Sequence, residues 1–303
     1  MKSGSEAKLY MLAFDHRGNF KEMLGVTGDA TPEQMQRLQT AKQLIWSGVR
    51  RALDDGVPKE VVGILVDEEM GSMVAREAKA LGVKLAMPVE ASGRSVFEFE
   101  FGDRFKDHIE DFDPDFNKVL VRWNPADTDE DKAAQSERLK QLSDWLHKHG
   151  RKLLFELLVP ASARQLDLVG GDTEAYDTEV RPYLTLVAID EIIDAGIEPD
   201  IWKVEGFDRP YSCRLFAELI RRNGRDDIVA VVLGRGADDA KVDHWLRTGA
   251  PVVGYSGFAI GRSIWSSEVA GWNNGDATEE EVATAISANY RRFISVYEGT
   301  TGS

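Results

Sequence analysis

Cysteine is almost absent from this chain of 303 residues, which contains one, Cys213. A single cysteine cannot form an intrachain disulfide, and it excludes any zinc site that needs two or more cysteine ligands. The five histidines are scattered along the sequence, so they offer no clustered ligand set for a metal ion either. We therefore expect neither a metal ion nor another cofactor.

Long apolar runs and an excess of basic residues are also missing. No run reaches the roughly 18 residues that a membrane helix needs, and the N-terminus lacks a signal-peptide pattern. The chain has 37 Lys and Arg against 52 Asp and Glu, a formal charge of −15. Such a surface repels nucleic acid and anionic membranes. We expect a soluble cytoplasmic protein with a small-molecule partner, and the sequence leaves a homo-oligomer open.

Eight short apolar runs recur along the chain, and segments with helical periodicity separate them. The runs cover residues 9–14, 62–66, 84–89, 119–123, 153–159, 201–204, 228–233 and 251–255. Eight buried parallel strands that alternate with helices are what a (β/α)8 barrel requires. We predict one α/β barrel domain over residues 1–303, with a frayed tail at 298–303. A doubly wound open sheet is the alternative, although it normally shows a glycine-rich first turn.

The helical segments are regular except in the third connection. They cover residues 32–54, 71–81, 129–149, 175–195, 211–223, 238–248 and 279–297. Residues 95–115 instead contain FEFEFGDRF, which alternates as a strand does. We expect an irregular insertion there.

Three charged residues, Arg122, Glu156 and Lys203, lie inside apolar runs, where a charge is costly unless it is paired or used. Strand alternation turns Lys203 toward the barrel interior, because its large neighbours Trp202 and Val204 should face the helices. A lysine there can be a Schiff-base nucleophile or half of a structural ion pair with Glu156 or Glu205. Glu156, on the preceding strand, can be a general acid/base or only a structural partner.

Lysines also begin three other strands, and Glu90 follows the third run without an assigned role. We expect Lys84, Lys118 and Lys152 at the N-terminal, structural end of the barrel, away from the chemistry.

Glycines flank the last two strands, where barrels often bind phosphate. The seventh run ends in Gly234, Arg235 and Gly236, and Ser256 and Gly257 follow the predicted eighth run. Gly261 and Arg262 open the next helix, whose N-terminus favours an anion. The sequence predicts a phosphate cradle, with a close-packed turn as the alternative.

An acidic cluster, Asp67, Glu68 and Glu69, follows the second run. It could hold Mg²⁺ or simply begin a helix, where acidic side chains are favourable.

Four of these segments together resemble class I aldolases of the tagatose-bisphosphate type. They are DHRG at 15–18, DEEMG at 67–71, WKVEG at 202–206 and GFAIGRSIW at 257–265. The chain is similar above all to the aldolase domain that is often fused behind the inositol-pathway sugar kinase. That domain cleaves 2-deoxy-5-keto-gluconate 6-phosphate, and the resemblance extends from Leu9 to the neighbourhood of Trp272.

The resemblance implies a role for five residues. Lys203 would form the Schiff base, Glu156 would transfer protons, and Arg262 would bind the phosphate beside the ketone. The acidic residue of strand 1 falls on Asp15, and Arg17 would meet the far end of the substrate.

Two departures from the tagatose-type pattern bear on the substrate. Arg122 stands where those enzymes carry a strand-4 lysine, and residues 234–236 replace a serine-containing phosphate loop. A guanidinium fork binds a planar carboxylate through two hydrogen bonds, so Arg122 suits a sugar acid better than a second phosphate.

The activity that the resemblance implies is a carbon–carbon lyase (aldehyde-lyase) reaction of inositol catabolism. It would yield dihydroxyacetone phosphate and malonate semialdehyde. Three alternatives remain: an aldolase for tagatose or fructose bisphosphate or a sulfo-sugar phosphate, a metal-dependent lyase that uses residues 67–69, and a non-catalytic sugar-phosphate sensor.

Overall fold

In a computed structural model, which describes residues 8–234 and 238–300, the apolar segments form a closed parallel barrel in which each strand pairs with its neighbours in sequence. Strand β1 also pairs with β8, which closes the barrel. The predicted (β/α)8 fold is confirmed. The strands are β1 Leu9–Phe14, β2 Val62–Val66, β3 Lys84–Pro88, β4 Phe116–Arg122, β5 Lys152–Leu158, β6 Ile201–Glu205, β7 Val229–Leu233 and β8 Tyr255–Ile260.

Helices follow the strands and pack on the outside of the barrel. No helix in the described part of the chain is long and apolar enough to cross a membrane. The helices are α1 Gly18–Met23, α2 Pro32–Asp54, α3 Glu68–Leu81, α4 Phe105–Phe112, α5 Asp129–Lys148, α6 Ala163–Leu168, α7 Thr173–Ala175, α8 Arg181–Asp194, α9 Pro210–Ile220, α10 Asp239–Gly249, α11 Arg262–Asn274 and α12 Glu279–Glu298.

The predicted eighth strand is wrong by more than three residues at each end. The eighth strand was expected at 251–255, but β8 begins at Tyr255. The apolar residues before it form a turn in which Val253 is 72% exposed and Gly254 has φ +106°. The helix expected over 175–195 is found in three consecutive pieces: α7, a π-helical turn over Tyr176–Val180, and α8 from Arg181.

The core has two layers, as strand alternation requires. One cluster fills the barrel with inward side chains such as Met11, Phe116 and Ile201. The other, which includes Trp202 and Val204, lies between the strands and the helices. The predicted inward direction of Lys203 is therefore correct.

The third connection is more ordered than expected. Residues 89–100, here called the β3 hairpin, fold back in an antiparallel bridge between Glu90 and Phe99. Backbone hydrogen bonds of Ala91 N–H to Glu98 (2.8 Å) and Glu100 N–H to Val89 (3.0 Å) close it. The alternating FEFEF pattern is explained, because Phe97 is buried and its ring lies 5.2 Å from that of Phe99. Helix α4 follows.

Gly257 gives a test of the barrel closure. It pairs with Leu9 of β1 at a φ of +154°, and an added Cβ would lie 1.9 Å from the Leu9 carbonyl oxygen. Because backbone must move, we expect Gly257→Ala to lower the free energy of unfolding by about 2–4 kcal/mol. Urea denaturation measures this. Gly271→Ala, in helix α11 with no atom closer than 3.9 Å, is the control and should not destabilise the protein.

Candidate active site

The C-terminal end of the barrel holds a pocket lined by charged side chains. One part, about 380 Å³, lies between the ends of β1, β4, β5 and β6 and the β3 hairpin. A second part, about 220 Å³, extends toward β7 and β8. Both parts are lined by Arg122, Glu156 and Lys203, so they form one continuous site. This is the end at which barrel enzymes carry out their chemistry.

Lys203 and Glu156 face each other across adjacent strands. They are register partners of β6 and β5, and the Lys203 Nζ lies 2.9 Å from Glu156 Oε1. Both residues are buried, with 5% and 7% of their surface exposed. The expected contact between them therefore exists. Such a pair can pass a proton from the ammonium to the carboxylate, which leaves a neutral amine nucleophile.

Lys118 is the second lysine of the site, and its predicted location was wrong. We expected Lys118 at the start of a strand, at the N-terminal end of the barrel. Strand β4 instead begins two residues before Lys118, and the Lys118 side chain points into the barrel. Its Nζ lies 2.8 Å from Asp15 Oδ2, 2.7 Å from Glu90 Oε1 and 3.1 Å from Glu156 Oε2. Strand 4 thus carries both a lysine and Arg122 in the pocket. Alternation counted back from Arg122 would have revealed it.

The charges of this cluster nearly balance. Burial alone would raise the pKa values of Asp15 and Glu156, but Lys118 and Lys203 outweigh it and lower both. Burial would lower the pKa of Lys118, yet the three carboxyl groups raise it well above its usual value. For Glu90 burial prevails over Lys118 and Arg17 and raises the pKa. Glu90 is therefore the carboxyl group of the cluster that takes up a proton most readily.

The raised pKa of Glu90 predicts a pH-dependent gain in stability on Glu90→Gln. The pKa of Glu90 is higher in the folded state than in the unfolded state, where it is about 4.3. The folded protein therefore loses stability as the pH rises from about 4.3 through the higher pKa of the folded state. We expect Glu90→Gln to raise the urea midpoint relative to wild type at pH 8 and to leave it nearly unchanged at pH 4. An equal gain at both pH values would contradict the prediction.

His16 lines both parts of the pocket and is neutral at pH 7. Burial lowers its pKa to about 4, and nearby Lys42, Lys203 and Arg262 act in the same direction against Asp15. Its ring stands edge-on to Trp265, with the ring centres 5.5 Å apart. A neutral imidazole can donate a hydrogen bond to a substrate hydroxyl group or accept one from it.

A buried ion pair holds the chain on either side of Asp15. Lys42 Nζ donates to the carbonyl groups of Phe14 and His16, and it lies 2.6 Å from Asp67 Oδ1. Asp67 also caps helix α3 by accepting from Met70 N–H. The acidic cluster after β2 thus begins a helix, and the described residues contain no group of three or more potential metal ligands.

The residues expected to bind phosphate are only partly brought together. Gly234, Gly261 and Arg262 line the smaller part of the pocket, together with Arg122. Arg235 and Gly236 lie outside the described residues. Ser256 and Gly257 belong to the first half of β8, and Ser256 lines the opening at the opposite end of the barrel. The misplaced eighth strand caused this error.

Solved structures with the same fold support the barrel assignment. The chain is similar to an archaeal fructose 1,6-bisphosphate aldolase with a TM-score of 0.61 and 12% identity, over 97% of this chain and 94% of that one. It is similar to a protein from Corynebacterium glutamicum with a TM-score of 0.56 and 16% identity, over 97% and 86% of the two chains. At these identities the likeness establishes the fold alone.

A family model matches nearly the whole chain, residues 2–301, and its description is "Uncharacterized protein conserved in bacteria". The chain therefore belongs to this family, DUF2090.

Proposed function

We propose that this protein is a class I aldolase that cleaves a ketose-type sugar phosphate through a Schiff base on Lys203. The contact between Lys203 Nζ and Glu156 Oε1, 2.9 Å, at the C-terminal end of the barrel carries the proposal. It places a buried amine beside a proton acceptor in a pocket that Arg122 and Arg262 also line. Those are the groups that imine chemistry on a phosphorylated ketone requires.

Schiff-base formation follows from the pair. The Lys203 ammonium gives a proton to the Glu156 carboxylate, and the neutral amine attacks the ketone carbon to form a carbinolamine. The hydroxyl group of the carbinolamine leaves as water with the proton held by Glu156. The products are a protonated imine on Lys203, one water molecule and an ionised Glu156. Lys118, 3.1 Å from Glu156 Oε2, favours that ionised state.

Bond cleavage uses the imine as an electron sink. Glu156 or Asp15 removes the proton from the hydroxyl group on the far carbon of the bond that breaks. The bonding electrons move into the imine and form an enamine, and the remote fragment leaves as an aldehyde. The same carboxylic acid returns a proton to the enamine carbon. Water then hydrolyses the protonated imine and releases dihydroxyacetone phosphate and the Lys203 ammonium.

The pocket favours a substrate with one phosphate and a weaker anion. Arg262 at the start of α11 is the proposed phosphate ligand, next to Gly261, where the helix N-terminus presents backbone N–H groups. The substrate that combines this phosphate with a carboxylate is 2-deoxy-5-keto-gluconate 6-phosphate, and malonate semialdehyde is its aldehyde product. With tagatose bisphosphate, fructose bisphosphate or a sulfo-sugar phosphate as the substrate, every residue would keep its role. Only the group at the end of the substrate far from the phosphate beside the ketone would differ.

A coupled assay tests the function. The purified protein is given 2-deoxy-5-keto-gluconate 6-phosphate, and dihydroxyacetone phosphate is measured by its reduction with NADH. We expect turnover that survives a chelator and exceeds turnover of tagatose and fructose bisphosphates. Activity lost with the chelator would favour the metal-dependent lyase, and ligand binding without turnover of any of these compounds would favour a sugar-phosphate sensor.

A further inference from the structure

The β3 hairpin forms one wall of the pocket. Its residues Ala91, Ser92, Gly93, Arg94 and Phe97 line the larger part. This is the side away from Arg262, Gly261 and Gly234, which line the smaller part. A substrate whose phosphate lies near Arg262 and whose ketone lies at Lys203 would therefore extend its far end toward the hairpin.

Arg17 fastens the hairpin at its base. Its guanidinium donates to the backbone carbonyl of Glu90 (2.9 Å) and to Glu100 Oε2 (3.0 Å). The same Glu100 oxygen accepts from Ser92 N–H at 3.2 Å. Arg17 thus donates hydrogen bonds to both ends of the hairpin, whereas the resemblance implied that it contacts the substrate directly.

A second set of contacts fastens the outer strand of the hairpin to helix α5. Gln135 Oε1 accepts from Phe97 N–H at 3.0 Å, and Arg138 Nη1 donates to the Phe97 carbonyl at 2.9 Å. Because both edges are held, the hairpin is a fixed wall that positions its tip over the site.

Arg122 reaches the tip from the end of β4. Its Nη1 donates to the backbone carbonyl of Arg94 at 3.0 Å, and no carboxylate of the described residues lies within ion-pair distance of it. Arg94 lines the larger part of the pocket, and among the described residues its ion-pair partner is Glu98, at 3.2 Å, with both side chains exposed. Arg122 lines both parts of the pocket, and its guanidinium is held against the hairpin tip without an ion-pair partner among the described residues.

We propose that the β3 hairpin and Arg122 form the specificity wall of the site, where Arg122, supported by Arg94, binds a carboxylate on the part of the substrate that leaves as the aldehyde. Arg17 is a positioning residue that holds this wall. The inference rests on the proposed function for the identity of the leaving part.

A carboxylate fits this wall better than a second phosphate. Glu22 and Glu90 line the same part of the pocket, and a phosphate dianion would face them with twice the charge of a carboxylate. One planar guanidinium matches one planar carboxylate through two parallel hydrogen bonds.

The reverse reaction, aldol condensation, tests whether the wall selects a carboxylate, because the two parts of the substrate are supplied as separate compounds. Dihydroxyacetone phosphate is combined with malonate semialdehyde, with neutral glyceraldehyde or with glyceraldehyde 3-phosphate. We expect the wild type to prefer malonate semialdehyde. Arg122→Leu should lower kcat/KM for it by about 10- to 100-fold, as expected for a lost charged hydrogen bond, and leave the neutral aldehyde within about threefold. Arg122→Lys should fall between.

Two further variants separate recognition from positioning. Arg17→Met should raise KM for the carboxylate and neutral aldehydes alike with little change in kcat, because the whole wall is loosened. Arg104→Leu, an exposed arginine just beyond the hairpin, is the matched control and should behave as wild type.

A binding measurement keeps the test independent of turnover. Calorimetry compares 6-phosphogluconate with glucitol 6-phosphate, which lacks the carboxylate, and Arg122→Leu should abolish any preference for the former. The inference would be overturned if wild type favoured glyceraldehyde 3-phosphate, or if Arg122→Leu reduced the yield of the borohydride adduct with dihydroxyacetone phosphate alone. Absence of that adduct in wild type would instead count against the proposed function.

Discussion

Lys203→Met is expected to lower turnover by at least about 10⁴-fold, because no other amine can form the covalent intermediate at the same position. The nearest alternative, Lys118, is held by three carboxyl groups that raise its pKa, so it stays protonated and cannot attack a ketone. Steady-state cleavage measures the loss. Phosphate binding by Arg262 should persist, so substrate affinity measured by calorimetry should change little.

Lys84→Met is the matched control for this variant. Lys84 is also a strand lysine, but it begins β3 and lines the opening at the opposite end of the barrel. Loss of activity in both variants would indicate a general structural effect of removing strand lysines. Retention of more than about one hundredth of the activity in Lys203→Met would exclude a Schiff base there.

Lys118→Met is expected to affect both stability and activity. The substitution leaves Asp15, Glu90 and Glu156 buried without the cation that they share. Removing one partner from a buried charge cluster costs about 3–5 kcal/mol in the free energy of unfolding. Because Lys118 helps to lower the pKa of Glu156, the acidic limb of the activity profile should also move to higher pH. Urea denaturation and a pH–rate profile measure the two effects.

A double variant distinguishes a charge effect from a packing effect. Glu90→Gln removes one negative charge from the cluster, so Lys118→Met combined with Glu90→Gln should be more stable than Lys118→Met alone. If the double variant were the less stable of the two, packing of the lysine stem rather than its charge would explain the loss.

Sequence periodicity predicted the barrel because its strands are buried on both faces and read as continuous apolar runs. The same rule fails where polar residues lie near the start of a strand. In β4, Asn117 and Lys118 separate Phe116 from the apolar run at 119, so the run begins three residues too late and leaves out a central cation of the site. It fails in the opposite sense at residues 251–253, where apolar residues form a turn and Val253 is exposed.

The site was predictable where one strand determines it and not where several elements meet. The inward direction of Lys203 follows from alternation within β6, and its contact with Glu156 follows from the adjacency of β5. By contrast, the hydrogen bonds of Arg17 to Glu90 and Glu100 depend on how the β3 hairpin folds over the barrel. Arg17 is separated from Glu90 by 73 positions and from Glu100 by 83, and spacing along the chain gives no information about contacts over such distances.

Borohydride trapping tests the central claim most directly. The protein is incubated with dihydroxyacetone phosphate, the imine is reduced, and the modified peptide is located by mass spectrometry. The account predicts one reduced adduct, on Lys203, that is absent from Lys203→Met and present in Lys84→Met. An adduct on another lysine, or bound ligand without any adduct, would contradict the Schiff-base mechanism.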